Sequence, residues 1–111
     1  MTINVRQVEN ATVLDLGGRL TLGEPIEALA DKVHELMESG KTNLALNMAG
    51  VSFVDSSGLG ALVRIYSSLK NGGGRCKFFS SPKQVLLLLK MTRLDTVLEL
   101  FNDEASALAN F

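Results

Sequence analysis

The chain has 111 residues and a formal net charge of −1, enough length for one domain that buries a core without disulfide or metal staples. Hydrophobic residues make up 46%, as in a compact globular chain, while the lack of Trp and the single Tyr exclude an aromatic-rich recognition surface. Near-balanced charge argues against a nucleic-acid partner, the lone Cys76 excludes an intramolecular disulfide, and no apolar segment approaches the roughly 20 residues of a membrane span.

At the N-terminus, Met1–Arg6 lacks the basic region and long apolar core of a secretory signal, so a cytoplasmic location is expected. Residues 3–8 and 11–17 carry strand patterning through Ile3, Val5, Val8, Val13, Leu14 and Leu16. With Glu9-Asn10 between them they read as a β-hairpin, broken at Gly17-Gly18. A helix then starts at Pro25, with Glu24 and Glu27 favouring its positive end. Its apolar stripe is Ile26, Leu29, Ala30, Val33, Leu36 and Met37, and Ser39-Gly40 ends it. His34 falls on its polar side, with no Cys or carboxylate at metal-ligand spacing.

Leu44, Leu46 and Met48 alternate and merge into the apolar run Val51–Val54, a buried central strand. A second helix follows on Leu59, Leu62, Val63, Tyr66 and Leu69. The glycines at 72–74 follow it and so read as a helix stop, not a phosphate-binding loop. Lys77-Phe78-Phe79 is a further strand, with Cys76 a buried thiol at its start. Ser81 is expected to cap a third helix with Pro82 in its first turn. Val85, Leu88 and Leu89 form its core face, with Met91 a further candidate. Val97–Phe101 reads as a short strand and 103–110 as a short final helix. The fold class is α/β. One domain over 1–111 holds a mixed sheet, an N-terminal antiparallel hairpin plus parallel βαβ units, with about four helices on one or both faces.

Catalytic patterns fail. His34 lies mid-helix, Asp55 adjoins Ser56 in a turn too tight for triad geometry, and no Gly-x-Ser-x-Gly elbow occurs. No Gly-Lys-Ser/Thr loop is present, and Gly58-Leu59-Gly60 is half of a dinucleotide fingerprint. Asp15, Glu24, Asp31, Asp103 and Glu104 read as solvated helix faces and turns. The chain is expected to be a binding protein without catalytic activity, cofactor or metal.

The informative segment is Val51-Ser52-Phe53-Val54-Asp55-Ser56-Ser57-Gly58-Leu59-Gly60, which sets two serines on a strand-to-helix turn. Residue types alone leave two readings open. Asp55 or Ser56 is simply the helix N-cap. Alternatively a serine in the first turn accepts phosphate, whose added charge of about −2 the free N–H groups and helix dipole tolerate. A docking surface centred on that serine would not tolerate it. This describes a switch that acts on a partner while the domain stays folded.

Asp-Ser-Ser-Gly-Leu-Gly after an apolar strand resembles the signature of bacterial anti-sigma factor antagonists of the STAS domain family. Gly18-Arg19-Leu20, Pro25, the Leu44–Met48 strand, Ser81-Pro82 and Met91-Thr92-Arg93-Leu94 fall in matching order, so the resemblance spans the chain. It implies that the unmodified protein binds an anti-sigma factor that is also a serine kinase, freeing a sigma factor. Phosphorylation by that kinase would reverse binding, and a phosphatase would reset it. It places the phosphoacceptor at Ser56, with Ser57 the runner-up acceptor or a capping group. The partner surface would comprise Thr21, Leu22, Gly23, Glu24, Asp55, Ser56, Ser57, Gly58 and Leu59, with Asp55 holding the turn and Gly58 admitting the partner's backbone. Thr21 stands where members often carry an acidic residue. The alternative within the same family is an interaction subunit of a lipid-transport ABC complex or of a non-sigma signalling pathway.

Overall fold

The computed structural model describes residues 1–111. Strands β1 (Thr2–Val8) and β2 (Ala11–Leu20) pair antiparallel around Glu9-Asn10. The chain continues through α1 (Glu24–Glu38), β3 (Asn43–Val54), α2 (Ser56–Asn71), β4 (Arg75–Phe79), α3 (Lys83–Met91), a 3-10 turn (Leu94–Thr96), β5 (Glu99–Phe101) and α4 (Glu104–Leu108). The strands lie in the order β1-β2-β3-β4-β5, and every pair after the hairpin is parallel.

Each crossover from β2 onward advances one strand in the same direction. Right-handed connections then put α1, α2 and α3 on one face of the sheet. The main core lies there. Leu29 and Val33 of α1, Leu62 and Leu69 of α2, and Val85 and Leu89 of α3 pack on Leu14, Leu46, Met48, Cys76 and Phe78. Burial pushes the Cys76 thiol far above its ordinary range, as expected of a structural cysteine.

Only the short α4 covers the opposite face, where Ala107 packs with Val13, Ala45 and Phe79. Polar contacts fasten it. Arg6 donates to Asp15 at 2.7 and 3.0 Å and to Glu104 at 2.7 Å, and Asn47 donates to Asp15 at 2.9 Å. The Arg6 guanidinium, chiefly by hydrogen bonding, holds the Asp15 carboxyl down at about 2. The buried Lys77 ammonium donates to the carbonyls of Ala107 (2.8 Å) and Asn110 (3.1 Å) and lies over the rings of Phe101 and Phe111.

Five local expectations are corrected. β2 does not break at Gly17-Gly18 but runs on to Leu20, because its ladder with β3 absorbs two register shifts, at Asp15/Gly17 and Gly18/Arg19. The second shift places Arg19 opposite Phe53 and skips Ser52, so Val51–Val54 is not uniformly buried: Val51 and Val54 face the core while Ser52 and Phe53 are exposed. Ser81 is not the cap of α3. Pro82 occupies that position in extended conformation, and its carbonyl accepts the first helical bond from Leu86. Met91 points outward with 74% of its surface exposed, and β5 starts at Glu99 because a 3-10 turn occupies Leu94–Thr96.

Candidate interaction surface

Two loops meet where β2 and β3 end. The first is Thr21–Gly23, leading into α1, and the second is the Asp55 turn leading into α2. Leu20, fully buried at the end of β2, anchors the first loop, and its carbonyl accepts the Asp55 N–H at 3.3 Å. Asp55 is extended and caps α2: Oδ1 accepts from the Gly58 N–H at 2.7 Å. Its other oxygen accepts from the Leu22 N–H at 3.0 Å. These backbone donors, Leu22 foremost and then Gly58, hold the Asp55 carboxyl below its ordinary value.

Gly58 is buried against the end of β2. A Cβ there would stand 2.3 Å from the Leu20 carbonyl oxygen and 2.9 Å from Val54 Cγ1, so the residue lets α2 dock directly on the chain's own backbone. Leu59 is 8% exposed and belongs to the main core. Both support the turn from beneath. The outward members are Ser56, at the first position of α2, Leu22 and Gly23 of the facing loop and Glu24 at the start of α1, with Thr21, Asp55 and Ser57 half-buried between them. Gly23 has φ 103°, a left-handed conformation open to glycine, and its carbonyl accepts the Glu27 N–H to begin α1.

The arrangement separates two duties that residue types alone had left together. Capping is done by Asp55, while the Ser56 hydroxyl is exposed on the helix N-terminus. Leu22 is 77% exposed and stands on the loop that Asp55 grips. Phe53, 46% exposed beside the turn, with the Arg19 guanidinium 4.6 Å from its ring centre, is a surface residue that sequence reasoning missed. Only the register shift at Ser52 turns it outward, and the apolar run carries no sign of that shift. No group of three or more His, Cys, Asp or Glu side chains is disposed to hold a metal ion, and no helix is long and apolar enough to cross a membrane.

The STAS domain family profile matches residues 2–107. The anti-sigma-B factor antagonist of Bacillus subtilis is 27% identical over 101 residues, covering 90% of each chain. Among solved structures, an anti-sigma-factor antagonist (STAS) domain protein from Planctomyces limnophilus superposes with a TM-score of 0.82 at 24% identity, over 96% of this chain and 95% of that one. The anti-sigma factor antagonist SpoIIAA superposes in its unphosphorylated form with a TM-score of 0.73 at 19% identity, over 98% and 96% of the two chains. Its phosphorylated form gives 0.71 at 20% identity, over 95% and 96%.

Proposed function

The chain belongs to the STAS domain family, and from that membership and the geometry of the Asp55 turn we propose that it is an anti-sigma factor antagonist switched by phosphorylation of Ser56. In the unmodified state Ser56, Leu22, Gly23 and Glu24, with Thr21, Asp55 and Ser57, form the docking surface for an anti-sigma factor that is also a serine kinase. Docking withholds that partner from its sigma factor. Phosphate transfer to Ser56 ends the interaction, and a phosphatase restores it. The protein performs no chemistry of its own and is the kinase's substrate.

The observation that carries this reading is the division of labour at the turn. Asp55 satisfies the first amides of α2 and also holds the facing loop, which leaves Ser56 exposed with no structural duty. A phosphate on Ser56 would sit at the positive end of a 16-residue helix without displacing a cap. In the docked state the same group would bring bulk and about two negative charges into a desolvated contact, which opposes binding.

The test is phosphorylation by the cognate kinase-type anti-sigma factor with ATP, read by intact mass and fragment mapping. One phosphate is expected on the wild type and none on Ser56→Ala, which should still bind the unloaded partner. Phosphate mapped to Ser57 would overturn the assignment, and absence of modification would overturn the switch.

A further inference from the structure

We propose that this chain self-associates, with the outer face of α3 on one copy seated in the groove between α1 and α2 of another. Features outside the proposed docking surface converge on this. The outer face of α3 shows Leu87 at 57% and Met91 at 74% exposure, one helical turn apart. Lys83 and Lys90 neighbour them at helical spacing and Arg93 follows the helix end, and none of these cations takes part in the chain's salt bridges. Two large exposed apolar side chains flanked by unpaired positive charge make a surface without a counterpart in its own copy.

The counterpart lies on the same layer of helices. Between α1 and α2 runs an open groove of about 460 Å³, floored by Ile26, Val33, Met37, Ala61 and Ile65. It has room for a leucine and a methionine side chain together. Along its α1 side it continues into a hollow walled by Asp31, Glu35 and Glu38 with His34, in which Lys32 already pairs with Glu35 and His34 with Glu38. Asp31 is shared by groove and hollow and has no salt-bridge partner. Arg64 lines the groove from α2, so like-charge repulsion favours a cationic helix seated with its apolar residues in the groove and a lysine towards Asp31 on the α1 side. The occupant is a second copy because α3 supplies both halves of the match: apolar residues of fitting size and charge of opposite sign.

Ten residues line the groove, against about 20–30 per side in a standard interface, so the association is weak. Its ionic part is surface-exposed and screened by salt. The contact uses none of the residues of the proposed docking surface, and its test uses no partner protein.

Sedimentation velocity on the full chain, up to about 1 mM at low ionic strength, should show concentration-dependent dimers or larger species that dissociate in high salt. Leu87→Asp with Met91→Asp removes the inserted face, and Ala30→Arg with Asp31→Lys blocks the groove. All four positions are exposed, so both variants should keep the wild-type circular dichroism spectrum. Each alone should associate at least tenfold more weakly. Their equimolar mixture should regain a one-to-one dimer, because each retains the half that the other lacks. Lys90→Glu combined with Asp31→Lys tests the charge match separately, the pair regaining what either change loses. A wild type that stays monomeric throughout would overturn the proposal. So would association that persists in both variants, or a mixture that fails to pair.

Discussion

The Asp55 carboxylate accepts the backbone N–H of Leu22 at 3.0 Å, a bond that joins positions 33 residues apart. The same carboxylate caps α2 through Gly58. One side chain therefore fixes the start of a helix and the position of the loop facing it, and the outward residues of the proposed docking surface depend on both. Replacing Asp55 by Ala should lower the thermal midpoint and, more tellingly, speed hydrogen exchange at the Leu22 amide together with that of Gly58. If only the Gly58 amide responded, the bond across the loops would not hold in solution.

Ser56 and Gly58 lie two residues apart and should respond oppositely. Ser56→Asp adds charge at an exposed first-turn site on the positive helix end, so its stability should stay within about 0.5 kcal/mol of wild type. Affinity for the anti-sigma partner should fall by at least tenfold. Gly58→Ala puts a Cβ against the Leu20 carbonyl and Val54, neither of which can swing aside. Overpacking of this kind costs about 1–3 kcal/mol, which should appear as a midpoint lowered by roughly 4–12 °C.

Leu20 and Leu22 provide a second contrast, this one set by burial. Leu20 is fully buried and Leu22 is 77% exposed. Leu20→Ala should cost about 2–5 kcal/mol through the cavity it leaves, measured by urea denaturation. Leu22→Ala should leave stability within about 0.5 kcal/mol while weakening partner binding, read by titration calorimetry. Equal loss of stability in both variants would mean that the loop packs inward and offers no docking residue.

Much of this was legible in the chain because it rests on local chemistry. Alternation in β1, the apolar residues that open β2, the α1 stripe with Pro25 at its start, and the glycines after α2 each mark an element through a short-range rule. The Asp-Ser-Ser-Gly turn was legible in the same way. What could not be read depends on pairing between distant segments. The register shifts between β2 and β3 carry the strand through Gly17-Gly18 and expose Phe53, and they are set by the ladder as a whole. Nor could the assignment of the cap to Asp55, and not to Ser56, be made from residue types that all favour that position. The outward turn of Met91 and the small second core under α4 likewise depend on how distant segments pack together.

Acid should expose the electrostatic fastening of α4. Asp15 has an ordinary value of 3.8 and is held at about 2 in the fold, chiefly by hydrogen bonds from Arg6. A carboxyl lowered in the folded state contributes stability above its unfolded value and loses it as pH falls through the folded one. Asp55 and Asp103, both lowered by backbone donors, act in the same direction. Urea midpoints should therefore be level above about pH 5 and decline from about pH 4 towards pH 2. In Asp15→Asn the decline should be shallower, and its lower stability at neutral pH should converge on that of the wild type in acid. Arg6 also holds Glu104 at 2.7 Å, so Arg6→Ala should release α4 at any pH. Hydrogen exchange at Ala107 would then rise before that of the β3 core, and uniform loss of protection across the sheet would show instead that α4 unfolds only with the whole domain.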